Sequence, residues 1–224
     1  MGTALNMAVN RGEESIVKLL LERGADINLV GGEFGTALQI AILEAKVPLV
    51  EVLLQHGADV NIEGGKYGTA LQAACDRSNA QVVTWLLERG AKVNTSCGLY
   101  GNPLQAAAQR GEAGHVKTLL AHGADVNQTG GKYGCALQAA VVSERNEEDH
   151  LKIIELLLET GADVNLQGGE FGTPLQAAAY HYRPYVEILL NHGADPTIHG
   201  GKFGSAIEAA KAKGRNRVVR LLER

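Results

Sequence analysis

A four-residue segment, Gly-Thr-Ala-Leu, begins at Gly2 and returns with small changes at Gly35, Gly68, Gly101, Gly134, Gly172 and Gly204. The interval is 33 residues four times, then 38 and 32. A second landmark, Gly-Ala-Asp-Val-Asn or a near variant, starts at Gly24, Gly57, Gly90, Gly123, Gly161 and Gly193. Two landmarks held in phase over seven copies mark one supersecondary unit repeated in line. Such units bury their apolar faces only against neighbours, so the expected product is one elongated domain. The units run approximately over 2–34, 35–67, 68–100, 101–133, 134–171, 172–203 and 204–224.

Within a unit, Thr69 precedes the alanine-rich run Ala70-Leu71-Gln72-Ala73-Ala74, which predicts a capped helix slim enough for close packing. A second run, as in Ser15 to Glu22, places apolar residues at helical spacing and ends on Arg23-Gly24, a cation followed by a glycine stop. The stretch Gly64-Gly65-Lys66-Tyr67-Gly68 then predicts a tight hairpin-like finger. The fold class is therefore all-α, a solenoid of about seven helix-turn-helix repeats joined by short fingers.

These residues resemble the ankyrin repeat. The family's Thr-Pro-Leu-His reads Thr-Ala-Leu-Gln here and survives closest at Thr173-Pro174-Leu175-Gln176. The resemblance covers essentially the whole chain, but Gln39, Gln72, Gln105, Gln138 and Gln176 stand where the family has histidine. The finger spelling, Gly-Gly-x-aromatic-Gly, is similar to ankyrin arrays of large fungal proteins, often attached to nucleotide-binding signalling modules. The resemblance implies a scaffold that binds another protein through its concave wall and fingers. A structural spacer, or an autoregulatory arm of a larger multidomain protein, is the alternative. The abrupt start at a first helix suggests a piece of something longer. The terminal copies are imperfect, and in the last one Lys211, Lys213, Arg215, Arg217 and Arg220 would cap the stack with a polar face.

Charge and cysteine usage narrow the setting. The net charge is -4, from interleaved acidic and basic residues, so no basic face invites a nucleic acid. Cys75, Cys97 and Cys135 are odd in number and lack CxxC spacing, which disfavours a disulfide framework or a zinc site. An intracellular location is expected, the cytoplasm rather than the nucleus. No apolar run is long enough for a membrane span, and the isolated piece is expected to be a monomer with no cofactor.

Candidate chemistry dissolves into the register. His56, His122 and His192 occupy the position of Arg23 and Arg89, where a cation answers the helix C-terminal dipole. Alternate units would hold these histidines roughly 20 Å apart, too far to share a metal. Gly64-Gly65-Lys66 lacks the spacing and following Ser or Thr of a phosphate loop. The recurring Asp26, Asp59, Asp125, Asp163 and Asp195 are expected to order the fingers through backbone hydrogen bonds. No catalytic grouping stands out, so no enzymatic activity is expected.

Specificity in a solenoid belongs to positions that differ between copies. At the ends of the first helices these include Arg11, Leu43, Glu44, Asp76, Arg77, Gln109, Arg110, Val142, Tyr180 and His181. On the fingers they include Lys66, Leu99 and Lys132. These are the candidate partner-binding residues. The junction of the fifth and sixth copies gathers three irregularities: a long acidic loop around Ser143 to His150, a shortened turn, and the phenols Tyr180, Tyr182 and Tyr185. Tyr180 is expected to be exposed and Tyr185 to be core, whereas Phe34, Tyr67, Tyr100, Tyr133, Phe171 and Phe203 should pack finger on finger.

Overall fold

The computed structural model describes residues 2–77, 79–143, 145–181 and 183–223, apart from the side chain of residue 183. Each unit's first helix is short: α1 (Ala4–Arg11), α3 (Ala37–Leu43), α5 (Ala70–Arg77), α7 (Pro103–Arg110), α9 (Ala136–Val141), α11 (Pro174–His181) and α13 (Ala206–Ala212). Their partners are α2 (Glu14–Glu22), α4 (Val47–Gln55), α6 (Ala80–Glu88), α8 (Ala113–Ala121), α10 (Glu147–Glu159), α12 (Arg183–Asn191) and α14 (Asn216–Leu222). Each first helix packs on the next first helix and on its own partner, giving two helical layers.

The layers differ in spacing because they differ in side-chain size. Ala73, Ala74, Ala106, Ala107, Ala139 and Ala140 are wholly buried between first helices, so these backbones approach closely. The second helices bury the larger Val50, Leu53, Val83, Leu86, Val116 and Leu119 and touch one another far less. A stack tight on one side and loose on the other curves, with the first helices on the inner wall.

Hydrogen bonds hold the register as repeatedly as the core does. Thr36 caps α3 through a capping box in which the Gln39 side chain accepts from the Thr36 backbone N–H at 2.7 Å. The amide of Gln39 then donates to Gly64 O and Gly68 O, at the base of the following finger. Gln72 reaches Cys97 O and Gly101 O, and Gln138 reaches Gly168 O and Gly172 O. The glutamines that depart from the family's histidine thus tie each helix start to its finger. A second ladder runs through Asn61, Asn94, Asn127 and Asn165. Each accepts from a backbone N–H one unit onward and donates to that unit's glycine carbonyl. Asp59, Asp125 and Asp163 accept from the N–H two residues on, as expected.

The fingers are bonded to one another as well. The N–H of Lys66 donates to Glu33 O, Leu99 to Lys66 O and Lys202 to Glu170 O, at 2.7 to 2.9 Å. A Cβ on Gly65 would lie 2.6 Å from Gly35 N, and its φ is +63°, so this turn demands glycine twice over.

Three expectations change. The fifth copy's insertion is not chiefly a loop: Glu147, Glu148 and Asp149 form the first turn of α10, where the helix dipole favours carboxylates. Asn146 caps that turn, and buried His150 bonds back to Asn146 O and across to Gln109 O. Glu144 lies outside the described residues. The position before each helix-stop glycine proves to need a hydrogen-bond donor rather than a charge. His56, His122 and His192 present Nδ1 to the carbonyl four residues back, and the neutral Thr160 hydroxyl does the same to Leu156 O. Lastly, Phe34 is 53% exposed, alongside Met7, Ile16 and Leu19 on the first unit's outer side. The residues matching Met7 and Ile16 in the next copy, Ile40 and Leu49, are buried.

Candidate functional site

The pair of residues at the C-terminal end of each first helix, at its last turn or just past it, forms the variable inner wall. The structure sorts the candidates there into three groups. Arg11 and Glu44 are exposed near the first units, whereas Leu43 is 6% exposed and belongs to the core. Leu43 is therefore withdrawn as a contact residue.

The second group forms a polar knot. Asp76 is only 4% exposed, so it too is corrected from a contact residue to an internal one. Its Oδ1 accepts from the Tyr100 hydroxyl at 2.6 Å, and Arg110 and Arg77 bring Nε to within 3.6 and 3.8 Å of the carboxylate. Burial and the bond to Asp76 both push the Tyr100 phenol well above its ordinary range. Arg110 is mostly covered by this role, while Arg77 keeps 43% of its side chain in solvent. Gln109 is half-buried beside them.

The third group lies at the junction of the fifth and sixth units. Finger rings are in contact from Tyr67 to Tyr100, tilted by 39°, and stacked from Tyr100 to Tyr133, both with centroids 6.3 Å apart, and stacked again from Phe171 to Phe203 at 6.0 Å. Among the described residues no ring contact joins Tyr133 to Phe171, and a groove of about 200 Å³ lined by both lies there. Val142, Tyr180, His181, Lys132 and Glu170 complete its lining. The cause is a single column of side chains. The residue that Asp76 represents in the third unit, and that bonds the next finger's ring, is Tyr180 in the sixth, stacked on Phe203 at 4.8 Å. In the fifth unit it is Val142, too short to fill the space before Phe171.

Tyr180 is thereby half-buried rather than freely exposed. It packs on Phe171, Phe203 and His181, with Lys213 Nζ 4.9 Å above its ring. Tyr185 is 2% exposed, as expected of core. Tyr182 lies outside the described residues. On the fingers, Lys66, Leu99 and Lys132 are exposed. Tyr133 and Phe171 were not among the candidates, because a ring repeated in register reads as scaffold, whereas Glu170 shares the variable finger column of Lys66, Leu99 and Lys132. The signal that marks the two rings is the small pair Val142-Ser143, in a column that holds Gln109 one unit before and Tyr180 one unit after.

Among the described residues no grouping of three or more His, Cys, Asp or Glu could hold a metal ion, and no helix is long and apolar enough to cross a membrane.

Helix pairs, bonded fingers and a wall that varies copy by copy define a class of repeat-built modules that are typically non-catalytic. The sequence matches the family model described as ankyrin repeats in three copies over residues 5–97 and 94–168, and the single ankyrin repeat over 172–200. The chain belongs to the ankyrin repeat family. The crystal structure of the human ASB11 ankyrin repeat domain is similar over 99% of this chain and 98% of that one, with 29% identity and a TM-score of 0.78. No curated protein matches the sequence. Ankyrin repeats generally mediate protein–protein interaction.

Proposed function

We propose that this chain is a protein-binding scaffold that grips its partner on the concave wall and fingers. One observation carries the reading. The structural hydrogen bonds of Gln39, Gln72, Gln138 and Gln176 recur nearly unchanged, while the exposed finger column reads Glu33, Lys66, Leu99, Lys132, Glu170, Lys202. A spacer has no use for a surface that changes with every unit on a backbone that does not. The exposed Arg77, Lys66, Leu99 and Lys132 are the residues best placed to touch a partner. Free Cys75, Cys97 and Cys135 support a reducing, cytoplasmic setting, and interleaved charge supports a protein ligand over a nucleic acid. The piece is read as a monomer without cofactor or catalysis.

The test compares the intact chain with an Arg77→Glu, Lys66→Glu variant as bait, after melting curves show both equally stable. A partner held by the first and lost by the second supports the concave wall. Equal retention of every partner by both would refute it and favour the spacer.

A further inference from the structure

We infer that the groove between Tyr133 and Phe171 receives a single apolar side chain of an acidic peptide segment, an inference that rests on the protein-binding reading above. The size decides the class of occupant. At about 200 Å³ the groove is smaller than the roughly 300–1,000 Å³ of sites that enclose small-molecule ligands, yet suits one leucine or phenylalanine side chain. Its walls suit such a group too, because Tyr133, Phe171 and Tyr180 present aromatic surface and Val142 an aliphatic floor.

Charge decides what flanks that side chain. Lys132 Nζ stands 5.4 Å from the centre of the Tyr133 ring, and Lys213 Nζ stands 4.9 Å from that of Tyr180. The carboxylate at the rim, Glu170, is already held by Lys202 at 2.9 Å. With Glu170 paired to Lys202, Lys132 sets the charge of the lining, and Lys213 lies just beyond it over the Tyr180 ring, in a chain whose net charge is -4. A ligand with carboxylates on either side of its apolar anchor meets Lys132 on the finger side and Lys213 on the helix side. A basic segment would be repelled at both. In the sixth unit Tyr180 itself fills the equivalent space against Phe203, and the smaller groove of about 150 Å³ beside Asn10 and Phe34 in the first unit has no lysine in its lining.

The experiment is selection of a phage-displayed random peptide library on the intact chain, followed by fluorescence-anisotropy titration of the enriched peptides. The expected peptides carry Leu or Phe within two residues of Asp or Glu. Val142→Tyr places in the fifth unit the side chain that the sixth already accommodates, and should weaken binding at least tenfold. Lys132→Glu, at an exposed fingertip, should weaken it several-fold without moving the melting temperature. The inference is overturned if no peptide is enriched, if enriched peptides are basic, or if Val142→Tyr binds them as well as the parent. A single-stranded oligonucleotide that displaces the peptides and binds more tightly would overturn it as well. Peptides lost in Arg77→Glu but retained by Val142→Tyr would sink the groove while leaving the concave-wall reading intact.

Discussion

The Tyr100 hydroxyl, carried on a finger, donates a 2.6 Å hydrogen bond to Asp76 Oδ1 at the end of α5, so a helix terminus and the following finger are joined through a buried carboxylate. Arg77 and Arg110 supply the balancing charge. Tyr100→Phe should cost about 1.5–3 kcal/mol, the worth of a hydrogen bond to a charged group. Asp76→Asn should be milder than Asp76→Ala, since the amide still accepts from the phenol. Chemical denaturation of the three variants checks the order, and a silent Tyr100→Phe would place the knot's energy elsewhere. Ultraviolet titration should also find the Tyr100 phenol ionising well above the ordinary value of 10, with Tyr133 raised as well by its burial.

Gln72 donates two bonds to the next finger and accepts from the Thr69 N–H at its own cap, besides longer 3.2 Å bonds from the Thr69 hydroxyl and the Cys97 thiol, so its loss should loosen both. Gln72→Ala is expected to cost roughly 2–3 kcal/mol, at about 1 kcal/mol per hydrogen bond. Hydrogen exchange should quicken at Cys97 and Gly101 before it does in α6. Uniform quickening throughout the chain would mean that the glutamine has no local role.

Ala45 sits at φ +53°, in the column where Gly12 and Gly111 end their helices at +81° and +83°. A left-handed alanine is strained by about 1–2 kcal/mol, partly offset by glycine's greater freedom when unfolded. Ala45→Gly should therefore raise stability by about 0.5–1 kcal/mol. A fall in the denaturation midpoint would show that the alanine methyl matters more than the strain.

His115 is 4% exposed in α8, and its Nδ1 has no hydrogen-bond partner. Burial lowers its pKa below the ordinary 6.5. The unfolded chain then takes up the proton first on acidification, so stability is full above pH 6.5 and falls as pH drops through the window beneath it. His115→Leu, which copies Leu49 of the second unit, should flatten that part of the stability profile. An unchanged slope between pH 6.5 and 5 would exonerate His115.

How much of this was legible beforehand follows from what periodicity can carry. The spacing of Gly-Thr-Ala-Leu fixed the number of units, the all-α class, the two helices of each unit and the aspartate turns, because each depends on contacts made identically in every copy. Tyr185 could be assigned to the core for the same reason, by its column.

The tertiary structure alone decided which variable residues face outward. Leu43, Asp76 and Val142 share one column, yet Leu43 joins the core, Asp76 is captured by Tyr100 and two arginines, and Val142 opens a groove. The outcome at each depends on the ring brought in by the next finger and on the size of the side chain beside it. That pairing couples residues more than twenty positions apart, as Asp76 and Tyr100 are. A repeat register names the partners' columns but cannot say how a short side chain against a fixed ring will leave the space between them.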